Sequence, residues 1–477
     1  MEILLPIAMI QADFDSPSRY PPPQCHPGTR TLIKRRTFIW LTDPDCSERI
    51  LWITGPLGVG KSTFAQFLAE FCHRTARLGA SIFFSCSLEG NEKAQRVVPT
   101  LACQLAARFP EYKVLINARL LADPALIEKN LCDQFYYLFA LPLEELQKDR
   151  RLFSPQKDRR LFSPQNPLVI ILDGLDVCGN RSAQIELTRL ISEFAKHKSA
   201  AAGLFWIICS RPEPHVKKII WRMTVQSLCR HEQLLIEDGE ARDDVELMLH
   251  DGFYEIRKRY FFRFGPVETW PTDIHWHLLK DASSGFLMFG SCILKYVGDD
   301  DQRDPRALLE LCLGLIDDSL VPHTLHPFHA LDALYEEILL SITPEIQHTT
   351  LRILSLCVHA SPHGLFVQQA MAFLDIGRST VDRALQNLHS VVNISSPGTD
   401  EECFHFFHHS FPDFLQDTKR SGWIAREINM EMVEGASTTQ VPSGSGTTLN
   451  KGKGRVIPES RLPCRGFPAS GSGSMVE

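Results

Sequence analysis

The chain has 477 residues, 44% apolar and 22% charged, the balance of a globular protein with room for about three domains. Its 50 basic and 57 acidic residues leave a net charge of −7, so charge alone implies no nucleic-acid partner. The cysteines form no close CxxC pair, and several, such as Cys209 and Cys357, sit in apolar runs. They read as reduced thiols acting as small hydrophobes in a cytosolic protein, and neither a zinc nor a disulfide framework is expected.

The first residues, MEILLPIAMIQAD, carry Glu2 and no basic lead, and are too short to span a bilayer. No other segment reaches the roughly 18 consecutive apolar residues of a membrane helix. A cytoplasmic protein without a membrane partner is expected. Residues 12–29 are rich in proline and polar side chains, and residues 1–30 are assigned as an N-terminal linker.

From 31 to 240, apolar runs alternate with helical patterns. ILWIT (50–54), SIFFS (81–85), LVIIL (168–172), LFWIIC (204–209) and QLLIE (233–237) read as buried strands. Between them lie stretches such as KSTFAQFLAEFCHRTARL, with apolar positions every three or four residues. The alternation predicts an α/β domain with a parallel sheet covered on both faces. Between 147 and 164 the nonapeptide QKDRRLFSP occurs twice in tandem. A duplication in a tolerant surface loop accounts for it better than a structural repeat, although each copy carries three cations that a docking loop could use.

Residues 241–325 read as a helical domain. Residues 326–424 are again mainly helical, with strand candidates near 391–395 and 403–407, an order that predicts a winged-helix-like domain. From 425 to 477 the composition shifts to SGSGTTLNKGKG and ASGSGS, a disordered tail with little apolar surface to offset chain entropy.

The chemistry centres on GPLGVGKS (55–62), which fits GxxxxGK[ST], follows a strand directly and opens a helix at its lysine. Gly55, Gly58 and Gly60 let the backbone curl so that its N–H groups converge on phosphate oxygens. Lys61 supplies charge to the β- and γ-phosphates, Ser62 offers a hydroxyl to magnesium, and the helix N-terminus adds partial positive charge. Pro56, Leu57, Val59 and Thr63 complete the nucleotide-contacting run. LVIILDGLD (168–176) delivers Asp173 at a strand end, where a second magnesium anchor is needed. CSRPEP places Arg211 at a third strand end, in position to sense the γ-phosphate. His405 and His409 are four apart and could share a helix face, but no third ligand accompanies them and no metal site is assigned.

The ordered set GPLGVGKS, ILDGLD and CSRPEPHV resembles the NACHT domain of the STAND signalling NTPases, and is most similar to large fungal NACHT proteins. CHPGTR (25–30), SSGFLMFGSCILKYV (283–297), LDALYEEIL (331–339) and FHHSFPDFLQD (407–417) extend the likeness over roughly residues 25–424. The resemblance implies an ATP- or GTP-driven switch, closed with diphosphate, opened by triphosphate, and prone to oligomerise or bind protein partners. It also implies that Gly55, Gly60, Lys61 and Ser62 hold phosphates and magnesium, and that Asp173 anchors the metal through water. Asp176 would position the attacking water, Arg211 would read the γ-phosphate, and His408 would touch the nucleotide in the closed state.

The sequence departs from that family at Val177, where an acidic residue is usual, so slow or negligible hydrolysis with retained binding is expected. Relatives commonly carry effector and repeat domains not recognised here, so a truncated paralogue, a decoy or a regulatory partner of longer family members is expected. The absence of an NKxD-like motif tilts the nucleotide toward ATP. Two other readings stay open: a pseudo-NTPase serving only as an interaction module, and a nucleic-acid-dependent ATPase. The second is disfavoured by the charge balance and the lack of an aromatic-interleaved basic stripe.

Overall fold

The computed structural model describes residues 1–56, 58–84, 92–148, 167–196, 203–225, 227–235, 239–264, 269–283, 285–298, 304–318, 329–340, 342–359, 365–386, 388, 391–395, 402–406 and 410–428. Five strands, β1 (Ile50–Thr54), β2 (Leu78–Phe83), β3 (Leu168–Asp173), β4 (Leu204–Ser210) and β5 (Cys229–Gln233), form one parallel sheet in the order β2-β3-β4-β1-β5. This is the α/β, P-loop NTPase type of fold. Ile53 of β1 and Asp173 of β3 both pair with Cys209 of β4, which brings these three strands to the same level at their carboxyl ends.

The strands are apolar along their whole length because both sheet faces are buried. Leu51, Ile53, Val169, Ile171, Phe205 and Ile207 pack beneath α1 (Thr31–Thr42) and α2 (Lys61–Arg74). Ile50, Trp52, Ile170, Leu172, Trp206 and Ile208 face α3 (Glu92–Arg108) and the helices Pro110–Ala122, Arg181–Lys196 and Pro214–Val225.

Besides the second strand, which is Leu78–Phe83 and not 81–85, two sequence expectations for this domain need correction. The last strand is Cys229–Gln233, not 233–237. At the sheet edge it is buried only at Cys229, so its CRHEQ carries little apolar signal, and the nearby leucines misplace it. Leu234 still donates its amide to the Thr54 carbonyl at 2.7 Å, while Leu235 is exposed. The other correction concerns residues 1–20, expected to be a linker but packed on the domain. Leu4, Ala8, Met9 and Ala12 join the α3-side core, and Phe14 joins the other. The Met9 amide donates to Thr100 Oγ1 at 2.8 Å and the Phe14 amide to Ser81 Oγ at 3.0 Å, so the segment lies against edge strand β2. A short apolar run separated by prolines has no helical period, and hides this burial from a periodicity argument.

Residues beyond the sheet share a further core that runs from Val245 to Ile428. The helices Gly239–Arg259, Asp273–Ser283, Leu287–Gly298 and Pro305–Asp318 come first. His329–Leu340, Pro344–His359, Val367–Leu374, Arg378–Leu385 and Ser410–Gln416 follow. With them goes an antiparallel sheet of β6 (Leu365–Phe366), β7 (Val392–Ser395) and β8 (Cys403–Phe406), in the order β6-β8-β7. His405 lies on β8, not on a helix, so it cannot share a helix face with His409. His409 itself, the QKDRRLFSP copies beyond Lys148 and the tail from 429 onward lie outside the described residues. Among the described residues no helix is long and apolar enough to cross a membrane.

Candidate functional site

The glycine-rich loop leaves β1 at Thr54 and ends where α2 begins at Lys61. Gly60 has φ 93°, a left-handed conformation that sets the helix start at little steric cost only in glycine. No side chain caps this end of α2, so the first-turn N–H groups of Lys61, Ser62 and Thr63 have no capping acceptor from Gly60. Gly58 has φ 74°, and a β-carbon there would lie 2.6 Å from Cζ of Phe286. The loop is therefore in contact with the segment that opens the helix Leu287–Gly298. Leu57 lies outside the described residues.

Lys61 Nζ donates to the carbonyls of Gly55 and Pro56, both at 2.8 Å. Burial lowers the pKa of its ammonium, while the carboxylates of Asp176 and Asp173 act in the opposite sense. Asp173 is almost fully buried at the end of β3. Burial pushes its carboxyl above the ordinary range, opposed by a hydrogen bond from Ser62 and by the charges of Arg19 and Lys61. The structure thus brings Lys61, Ser62 and Asp173 together across three elements that the sequence had treated separately.

Asp176 and Arg211 meet as a pair. Asp176 sits on a single turn, Leu175–Val177, and its Oδ1 accepts from the Arg211 amide at 2.9 Å and its Oδ2 from Arg211 Nε at 2.8 Å. Val177 turns its half-buried side chain against the α3-side core. His408 lies outside the described residues.

Two further features of the site have no counterpart in the sequence reading. Arg30, in the left-handed region at φ 55°, donates from Nη2 to the Val59 carbonyl at 2.8 Å. Its amide donates to both oxygens of Asp244 at 3.1 and 3.0 Å, and its buried side chain lies beside that carboxylate. Arg30 stood within the quoted CHPGTR, but nothing local marks Asp244 as its partner. The other feature is Arg19, whose guanidinium lies 3.8 Å above the Phe83 ring and donates to Gln66 Oε1 at 3.0 Å.

The donor set fits a magnesium nucleotide. A serine hydroxyl and an aspartate are hard oxygen ligands suited to Mg2+, and a lysine at an uncapped helix N-terminus suits phosphate oxygens.

Residues 29–211 match the family model described as Nephrocystin 3, N-terminal. That span runs from just before α1 to Arg211, and so covers the loop, Asp173 and Asp176. No curated protein matches the chain. Among solved structures, Caenorhabditis elegans PCH-2 is similar at 13% identity and a TM-score of 0.33, over 61% of this chain and 70% of that one. Drosophila ORC bound to DNA is similar at 13% identity and a TM-score of 0.32, over 83% of this chain and 97% of that one. At those scores neither carries an argument about function.

Proposed function

We propose that the chain is a nucleotide-dependent signalling switch or scaffold that binds ATP, or alternatively GTP, with Mg2+ and hydrolyses it slowly if at all. The observation that carries this reading is the convergence of Lys61, Ser62 and buried Asp173 at the carboxyl ends of β1 and β3. Lys61 would exchange its bonds to Gly55 and Pro56 for phosphate oxygens. Ser62 and Asp173 would hold the metal, which when bound neutralises phosphate charge. Asp176, once parted from Arg211, would position a water, and Arg211 would turn to the terminal phosphate.

A switch also needs a path out of the site, and the contacts supply one. Gly58 abuts Phe286 and Met288, and Ser410 Oγ lies 3.0 Å from Met288 Sδ and 2.7 Å from the Tyr335 hydroxyl. A change in the loop would reach residues 241–325, which we read as a helical domain, and residues 326–424, which we read as a winged-helix-like domain. The NACHT assignment, association with protein partners or further copies, and a cytoplasmic setting belong to the same proposal.

The pseudo-NTPase reading is kept because of one observation. Val177 offers the core a side chain where a carboxylate could assist water, which weakens hydrolysis without touching the phosphate-binding loop. Nucleotide released from purified, denatured protein tests the main reading, with Lys61→Ala as control. Stoichiometric nucleotide in the wild type alone is expected. A protein that carries none and binds none when it is added would leave only the interaction module.

A further inference from the structure

Residues 1–20 bury apolar side chains in both sheet-face cores and end with Arg19 at the metal side of the loop. Phe83, beneath the Arg19 guanidinium, pairs in register with Asp173, so both side chains rise on the α2 face of the sheet. Gln66, which accepts from Arg19 Nη2, lies one helical turn beyond Ser62 on α2 and also donates to the Phe14 carbonyl at 3.1 Å. Arg19 Nε is sealed from solvent and has no hydrogen-bond partner among the described residues. A buried guanidinium with an unmet N–H costs free energy unless charge or ligand answers it. The Arg19 charge acts on Asp173, the carboxylate to which Ser62 hydrogen-bonds, and so lies where phosphate oxygens and metal-bound water would gather.

We propose that the N-terminal segment is a nucleotide-linked clamp, in which Arg19 adds a third cation to Lys61 and Arg211 at the site, so that bound nucleotide and the packed segment stabilise each other. This rests on the reading of the glycine-rich loop as a nucleotide site. Linkage makes the effect reciprocal: whatever affinity Arg19 contributes to the nucleotide, the nucleotide returns to the packing of residues 1–20. Arg19 acts as a binding residue, and its effect is on affinity before any turnover.

The test uses the full chain, a fluorescent ATP analogue and Mg2+. Arg19→Gln is expected to weaken binding about tenfold, equivalent to about 1.4 kcal/mol. Its melting temperature without nucleotide should fall modestly, because Arg19 also offsets the charge of the buried Asp173 carboxylate. In the wild type, added Mg-nucleotide should slow hydrogen exchange at the Met9 and Phe14 amides, which bond to Thr100 and Ser81. Arg19→Lys, which keeps the charge, should recover part of the affinity. Equal binding by wild type and Arg19→Gln, or exchange in the segment untouched by nucleotide, would overturn the clamp and leave the loop reading intact. If Arg19→Gln proves too unstable to titrate, the exchange result on the wild type decides alone. A wild type that binds no better than Lys61→Ala would remove the nucleotide site, and the clamp with it.

Discussion

Arg211 and Asp176 grip each other through both backbone and side chain, with the amide 2.9 Å from Oδ1 and Nε 2.8 Å from Oδ2. The two groups that would read the terminal phosphate and orient water are thus engaged with each other. The carboxylate is buried while the guanidinium is 43% exposed, so a turn away from the pair would be made by the arginine and not by the aspartate. Asp176→Asn keeps the shape and weakens the grip. Triphosphate affinity should rise severalfold while turnover falls, and unliganded stability should drop by about 1 kcal/mol. Titration and urea denaturation measure both, and unchanged triphosphate affinity would mean the pair does not gate the site.

Asp244 should matter well beyond its own helix. It answers the buried Arg30, which in turn holds the Val59 carbonyl of the loop. Asp244→Ala leaves a buried guanidinium without its carboxylate, a loss of about 3 kcal/mol, and should weaken nucleotide binding because the loop loses its brace. Denaturation midpoints check the first effect and a nucleotide titration the second. A variant as stable as wild type would show the pair to be superfluous.

Val177→Glu should raise the hydrolysis rate, since it returns a carboxylate beside Asp176. The half-buried site makes this costly, by about 1 kcal/mol of stability. Steady-state phosphate release is the readout. Turnover that stays at the wild-type level would place the defect elsewhere.

His231 gives the domain a predictable acid sensitivity. Its Nε2 lies 2.8 Å from Thr54 Oγ1 and its ring stacks on Trp52 at 4.6 Å. Burial, with a smaller push from Lys217, lowers its pKa below 6.5. Between the folded and unfolded values the unfolded chain binds more protons, so stability falls as pH drops through 6.5 toward the folded value. His231→Gln should flatten this dependence when melting temperatures at pH 7.5 and 5.5 are compared, and an equal slope in both proteins would refute it.

The central strands were legible because burial on both faces leaves an uninterrupted apolar run. ILWIT and LVIIL need no knowledge of their neighbours to be read, and Asp173 stands out because it ends such a run. GPLGVGKS is equally local: loop curvature, lysine and helix start all lie within eight residues. Edge strand β5 was misplaced because only Cys229 is buried there, and the winged-helix and tail boundaries rest on pattern alone.

What the sequence determined by itself was the parallel α/β sheet, the glycine-rich loop and the acidic strand end, each specified by a short stretch of chain. Only the tertiary structure decided that residues 1–20 are packed, that Arg19 bonds to Gln66 one turn beyond Ser62, and that Arg30 finds Asp244 across 214 residues. The physical reason is range. Apolar burial and backbone curvature are encoded residue by residue, whereas a buried charge takes as its partner whichever opposite group the completed fold carries to it.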